Sequence, residues 1–275
     1  MNFNQKVALI TGGSSGIGLA VARRLAAQDA RVFIVGRDEE RLAQAAAAFS
    51  AGSAPPQLLA ADVSDPDQAQ RVVSQVIESA GRIDLLINCA GVVRPGYVQS
   101  LSLEQFHWMM DINYFGTVYT TKAALPCLMD QCAGVIVNVG SVASRISVIG
   151  YSAYSGSKFA VRGFTDALRL ELKAYGIQVH LVYPPDTDTP GLAEENLHKP
   201  PELKYLLPEL GVVSAEAVAA AILSSIRRGR YEITSDFGSR LLLYLEGAVG
   251  SRRYHVLDLL LARARKRAAA ENNGS

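Results

Sequence analysis

Cysteine is scarce in this chain, and what there is does not pair off. Cys89, Cys127 and Cys132 have neither the even count of a disulfide scaffold nor the spacing of a zinc site, which argues against a stapled secreted domain. We expect them to be ordinary core residues in a reduced setting. Histidine is as sparse: His107, His180, His198 and His255 show no metal-ligand spacing, so no metal is expected. Charge of either sign is missing in excess, because 27 Lys and Arg face 26 Asp and Glu and leave a formal charge of +1. That balance removes the electrostatic argument for a nucleic-acid partner. No apolar run approaches the roughly 20 residues of a membrane-spanning helix. The opening Met1-Asn-Phe-Asn-Gln-Lys6 has neither the apolar stretch nor the cleavage pattern of a secretory signal, which sets a cytoplasmic expectation. No internal repeat or long low-complexity segment is visible.

What the chain does have is apolar residues, 49% of its 275 positions, enough to bury a large core. We expect one α/β domain over residues 1–235 and a helical C-terminal extension over 236–275.

Val7-Ala-Leu-Ile-Thr-Gly12-Gly-Ser-Ser-Gly16-Ile-Gly18 is an apolar run, a glycine-rich turn and the start of a helical pattern. A strand, turn and helix in that order make a site for a pyrophosphate: glycine lets the backbone approach, and the helix start supplies amide donors and a positive dipole end. Ser14 and Ser15 add hydroxyls. Arg31 to Val35 reads as a second strand, and Gly36-Arg37-Asp-Glu-Glu-Arg41 follows it. A dinucleotide enzyme using NAD holds an acid about there for the ribose 2′-hydroxyl, whereas NADP binding uses a nearby arginine. With Gly36 in the acid's place, Arg37 and Arg41 point to a 2′-phosphate and to NADPH.

Strand and helix patterns go on alternating. Gln57 to Ala60 is a third strand ending near Asp62-Val63, residues 67–80 a helix, and residues 84–88 a fourth strand ending in Asn88-Cys-Ala-Gly91. Such alternation implies a doubly wound parallel sheet of Rossmann type, with ligands at the strand C-terminal ends. Residues 103–129 read as one long helix containing Asn113. Gly134 to Val139 is a fifth strand, and Ser141 lies just past its end, where a hydroxyl can bond a substrate carbonyl oxygen.

The chemistry is expected in Tyr151-Ser-Ala-Tyr154-Ser-Gly-Ser-Lys158, the start of a long buried helix over residues 152–174. Residues four apart share a helical face. A lysine beside a phenol stabilises the phenolate and lowers the phenol pKa toward the working range, making Tyr154 a proton donor to a developing alkoxide.

Together, Thr11-Gly12-xxx-Gly16-x-Gly18, Asn88-Cys-Ala-Gly91, Asn113, Ser141 and Tyr154-xxx-Lys158 resemble, in order and spacing, the motifs of the short-chain dehydrogenase/reductase family. The resemblance implies a catalytic group of Asn113, Ser141, Tyr154 and Lys158. In it Ser141 and Tyr154 hold a carbonyl oxygen, Tyr154 donates the proton, Lys158 tunes the phenol and holds the nicotinamide ribose, and Asn113 positions a water for the proton relay. It also implies a cofactor site at Gly12, Ser14, Ser15, Gly16, Ile17, Gly18, Arg37, Arg41, Asp62, Val63, Asn88, Ala90, Gly91, Tyr154, Lys158, Thr187 and Thr189, and a homo-oligomer, dimer or tetramer. Cys89 departs from the usual pattern, which has a second asparagine there.

A narrower resemblance lies in Tyr183-Pro-Pro-Asp-Thr187-Asp-Thr189, where most of the family carries Pro-Gly, and in Asn113-Tyr-Phe-Gly-Thr-Val-Tyr119. It is similar to the branch that reduces the long-chain keto-lipid 3-dehydrosphinganine with NADPH. Another hydrophobic ketone as substrate, or an NADP-sensing scaffold without turnover, stays open. Residues 190–210 read as a lid over the substrate. The extension, with Leu241 to Leu245, Val256 to Leu261 and the basic residues Arg263, Arg265, Lys266 and Arg267, suits peripheral membrane contact, a dimer contact or a packed terminal helix alike.

Overall fold

The first strand, β1 (Val7–Thr11), is buried along its whole length, as an apolar run must be when both faces of a parallel sheet are covered. A computed structural model of the chain describes residues 1–49, 54–206 and 211–272. From β1 the chain runs through α1 (Gly16–Ala26), β2 (Arg31–Gly36), α2 (Glu39–Ala47), β3 (Gln57–Ala60), α3 (Pro66–Ala80) and β4 (Leu85–Asn88). The second half adds α4 (Leu103–Met110), α5 (Gly116–Asp130), β5 (Gly134–Val139), α6 (Ser152–Leu172) and β6 (Ile177–Val182). There follow β7 (Thr187–Asp188), α7 (Pro190–Asn196), α8 (Leu203–Leu206), β8 (Val213–Ser214), α9 (Ala215–Arg227), β9 (Glu232–Ile233), α10 (Phe237–Val249) and α11 (Arg253–Asn272).

Seven strands form one sheet in the order β3-β2-β1-β4-β5-β6-β9, all parallel. This is the expected doubly wound fold. The winding reverses between β1 and β4, and a crevice opens there beyond the strand ends. Alternate β1 side chains serve opposite layers: Ala8 and Ile10 join α1 and α9 in one core, while Val7 and Leu9 join α3, α5 and α6 in the other. Register aligns Thr11 with Asn88 and Asn88 with Asn138, so three polar residues stand in one row at the edge of an apolar sheet.

The helix expected over residues 103–129 is interrupted. Between α4 and α5, Asp111–Phe115 form a single π turn, which widens the helix at the fully buried Asn113. The Asn113 side chain bonds both the amide of Val92 at 2.7 Å and its carbonyl at 2.9 Å, and also Ser157 at 2.9 Å. These bonds supply the reason for the local unwinding; π turns of this kind recur at functional sites. A Cβ on Gly116 would lie 2.8 Å from Val63 Cγ2, so the next turn approaches closely only because that residue is glycine.

The parallel pair β7 and β8 joins the two ends of the 187–214 segment. Between them the expected lid holds α7 and α8, while residues 207–210 lie outside those described. The extension packs back on the domain: α11 contacts α8, and Arg145 bonds Glu246 of α10 at 2.9 Å and Glu232 of β9 at 3.0 Å. Residues 273–275 lie outside those described. Among the described residues no helix is long and apolar enough to cross a membrane. Of the cysteines expected in the core, half-buried Cys89 packs against it, while Cys127 is half-buried and Cys132 is exposed in a turn.

Candidate active site

A cleft of about 1290 Å³ opens over the C-terminal ends of the strands, larger than the roughly 300–1,000 Å³ of a pocket for one small molecule. Its floor is the turn between β1 and α1. Gly12 has φ +66°, and a Cβ there would lie 2.8 Å from the Ala90 backbone; Gly16 has φ +52° and faces Thr189 Cγ2 at the same distance. Both positions exclude a side chain. Ser15 precedes α1 without a side-chain cap, so no local hydroxyl occupies the first amides of an 11-residue helix. Ser14, Ser15 and Ile17 line the cleft with them. Gly18 lies behind the turn, buried in α1, where a Cβ would meet Gly12 O at 2.3 Å.

At one end of the cleft stand Gly36, Arg37, Arg41, Asp62 and Val63. No acid occupies the end of β2, and Asp38 caps α2 through the Arg41 amide. Asp62 accepts from the Ser64 amide and hydroxyl at 3.0 and 2.6 Å, and Arg37 lies 3.9 Å from its carboxylate. The set fits a dinucleotide: an open helix start and a glycine floor for the pyrophosphate, then two exposed guanidinium groups beside them.

The expected role of Asn88 needs correction. Its side chain donates to Thr121 at 3.0 Å and to Asn138 at 2.8 Å and accepts from Thr120 at 2.7 Å, while Asn138 goes on to Thr165 at 2.9 Å. It is wholly engaged beneath the sheet edge, and only its followers Cys89, Ala90 and Gly91 line the cleft. That loop is held by Thr11 Oγ1, which accepts from the Cys89 and Ala90 amides at 3.1 and 3.2 Å.

At the centre, α6 presents Tyr154 and Lys158 on one face, and Ser141 enters from the end of β5. Ser141 faces the Tyr154 phenol closely enough to lower its pKa. Lys158 donates to the Val139 carbonyl at 2.9 Å, with its Nζ 5.9 Å from the Tyr154 ring centre. Gly91 lies between Asn113 and Lys158: a Cβ there would sit 3.2 Å from Asn113 Oδ1 and 3.3 Å from Lys158 Nζ. Asn113 itself faces Val92 and Ser157, not the cleft. Thr187 donates to the Pro185 carbonyl at 2.8 Å, and Thr189 caps α7 through the Leu192 amide at 3.2 Å; both line the cleft.

Electrostatically the centre differs from expectation. Burial pushes the Tyr154 phenol well above its ordinary pKa; the Ser141 hydroxyl opposes this, and Glu195 and Asp186 add to the rise. Burial instead pulls Lys158 down to about 8. Tyr154 is therefore a protonated phenol across the neutral range, suited to giving a proton, in a site where Ser141 is the direct tuning partner.

Sequence reasoning gave no role to a second group at the cleft's far end. The Tyr151 hydroxyl donates to Glu195, Lys199 bonds Asp186 at 2.8 Å and lies 3.5 Å from Glu195, and the Tyr151 ring stands edge-on to Tyr154 at 6.0 Å. The adjacent acids Glu194-Glu195 inside a proline-rich loop are the only trace of it in the sequence. Among the described residues no cluster of side chains is arranged to hold a metal ion.

Compared with known families, residues 6–200 match the model of the short chain dehydrogenases. The chain belongs to that family. It is therefore an oxidoreductase, here a ketoreductase. Among its curated relatives, the 3-dehydrosphinganine reductase of Danio rerio is 40% identical over 243 residues, 86% of this chain and 73% of the relative. The 3-ketodihydrosphingosine reductase of Mus musculus is 39% identical over 236 residues, 84% and 70% of the two chains. Among solved structures, a short chain dehydrogenase/reductase from Burkholderia phymatum in complex with NAD superposes with a TM-score of 0.80 at 26% identity, covering 90% of this chain and 95% of that one. Family and neighbour together make the cofactor a nicotinamide dinucleotide.

Proposed function

We propose that this short-chain dehydrogenase reduces 3-dehydrosphinganine to sphinganine with NADPH. The likeness to reductases of that name over most of the chain supports the substrate class. The observation in the structure that carries the reading is that Val142, Ile146, Val148, Leu203 and Leu242 line the same cleft as Tyr154, apolar surface suited to a long alkyl chain. For the cofactor, Gly36 in place of an acid and the paired Arg37 and Arg41 favour a 2′-phosphate.

Gly12, Ser14, Ser15, Gly16 and Ile17 would hold the pyrophosphate, Asp62 and Val63 the adenine end, and Ala90, Gly91, Lys158, Thr187 and Thr189 the nicotinamide end. When bound, the reduced dinucleotide supplies a hydride to the carbonyl carbon. Ser141 and Tyr154 bind the carbonyl oxygen, and Tyr154 releases its proton to that oxygen as negative charge grows there. Lys158 keeps a cation beside the pair, and Asn113, through Val92 and Ser157, fixes the loop and helix that flank them.

The exposed apolar residues Leu241, Tyr244 and Leu245 of α10 and Val256 and Leu259 of α11, beside the basic end of α11, would form a contact face. It suits the cytoplasmic surface of a lipid membrane or a second copy of the chain, and α11 would steady the lid through α8. The test of the function is direct. Purified protein with NADPH should reduce 3-dehydrosphinganine much faster than short ketones or steroids; the reverse order would assign it another hydrophobic ketone. An NADP-sensing scaffold without turnover would show binding and no reduction at all.

A further inference from the structure

Carboxylates largely withdrawn from water are uncommon, and a half-buried one sits in this cleft with no part in moving hydride or proton. The Glu195 side chain is only 14% exposed, although it belongs to the short lid helix α7. Its carboxylate accepts from the Tyr151 hydroxyl, and Tyr151 in turn meets the Tyr154 ring edge-on at 6.0 Å. Asp186, from the β6 to β7 connection, lines the same part of the cleft. One ammonium lies between the two acids: Lys199 Nζ is 2.8 Å from Asp186 Oδ2 and 3.5 Å from Glu195 Oε1. Two carboxylates and one cation leave the group a charge of −1.

For the reduction of a plain ketone this arrangement is a disadvantage. A negative charge near Tyr154 opposes the negative charge that grows on the carbonyl oxygen, and both acids add to the rise that burial imposes on the phenol. Desolvating a carboxylate is costly unless a cation meets it. A substrate that brought its own cation beside the carbonyl would remove both costs. The proposed substrate is of that kind, because 3-dehydrosphinganine carries an ammonium on the carbon next to its ketone. Tyr151 links the proton donor to the acid, since its ring stands 6.0 Å from that of Tyr154 and its hydroxyl donates to Glu195.

We propose that Glu195, positioned by Tyr151 and supported by Asp186, is the subsite for a cationic amine adjacent to the ketone, and that Lys199 fills the amine's place until substrate enters. The inference rests on the reading of the function given above and sharpens it: selection would act on the charged head of the substrate as well as on its alkyl chain. The competing explanation is a latch, in which Tyr151, Glu195 and Lys199 merely tie the lid helix to the core. The two differ in sign as well as in size.

The experiment compares 3-dehydrosphinganine with its N-acetylated, uncharged form in the full-length protein with NADPH, for the wild type, Glu195→Gln and Lys199→Met. Glutamine keeps the volume and the acceptor for the Tyr151 hydroxyl. It should raise KM for the amine substrate about tenfold or more, change the N-acetyl ketone less than twofold and leave NADPH affinity intact. Sphinganine binding to the NADP⁺ complex, read by calorimetry, should weaken by the same factor. Lys199→Met should tighten sphinganine binding, since it removes the internal competitor. A latch predicts the opposite: equal losses on both ketones in Glu195→Gln, and weaker sphinganine binding in Lys199→Met. Either of those results overturns the subsite. A wild type that reduces the two ketones equally well removes the subsite while leaving ketoreduction in place. A wild type that reduces neither removes the functional reading first, and this inference with it.

Discussion

The two ends of the cleft are built differently. The cofactor end rests on the parallel strands β1, β2, β4 and β5, buried almost throughout, and its shape is set by backbone: glycines at positive φ, an uncapped helix start, a hydroxyl holding two amides. The substrate end is made from residues 142–151, 184–206 and 211–214 and the helices beyond β9, held by one two-residue strand pair, two short helices and side-chain contacts between distant stretches. A strand-tip site tolerates little change, and its chemistry is common to many ketone substrates; a lid of short helices can be altered without disturbing the sheet. On the proposed function, the first end sets what reaction occurs and the second sets on what.

The strongest challenge to that division is Tyr154→Phe, which deletes one oxygen at the junction of the two ends. Loss of the proton donor should lower ketone reduction by about 10²–10⁴-fold, with NADPH affinity, followed by fluorescence titration, changed less than twofold. Retained activity would mean that the proton comes from elsewhere. Next in size is Arg37→Ala, confined to the cofactor end. It should weaken NADPH by about 10- to 100-fold through loss of a charge-assisted bond to phosphate and leave NADH nearly unaffected; equal losses would place the 2′-phosphate on other residues.

The pH dependence tests the junction from the other side. Lys158 is pulled by burial to about 8, so it is charged below that pH and loses its charge above it. Tyr154, pushed upward, stays protonated throughout this range. Reduction should then be flat in kcat/KM up to about pH 8 and fall about tenfold per pH unit above it, since the protonated fraction of one essential group falls by that factor. A profile flat to pH 10 would show that the charge on Lys158 is not needed.

What the sequence disclosed follows the same division. Gly12, Gly16, Tyr154 and Lys158 are legible because the constraint acting on each is local: a turn with no room for a Cβ, or two residues four apart on one helix. Asn88 was misassigned because position at a strand end says nothing of which way the side chain turns. Its true partners Thr120, Thr121 and Asn138 are 32, 33 and 50 residues away. The π turn at Asn113 escaped the apolar pattern for a related reason, since one extra residue in a turn barely disturbs a helical period over 27 positions. Glu195 was unreadable because its burial exists only once α7 folds back onto Tyr151, 44 residues earlier in the chain.

Asn88 gives a prediction that separates fold from chemistry. Asn88→Ala would strand the hydroxyls and amide it now joins and should cost about 1–3 kcal/mol, which lowers the melting temperature by roughly 2–12 °C for a domain of this size. Per folded molecule, NADPH affinity should hold, because the side chain never reaches the cleft; a large loss of affinity without a loss of stability would return it to the cofactor site.

The smallest effect on the folded chain belongs to the far surface. Leu241 and Leu245 are 43% and 47% exposed on α10, and changing both to Ser should move stability by only about 0.5 kcal/mol each, as surface substitutions do. If their face meets lipid, the double variant loses co-flotation with anionic vesicles while its turnover of detergent-dispersed substrate is unchanged. If it meets a second copy, the apparent mass in sedimentation falls instead. No change in either would leave those leucines as plain surface and shift the contact to α11, where Val256 and Leu259 stand beside the arginines that anionic lipid would attract most strongly at low salt.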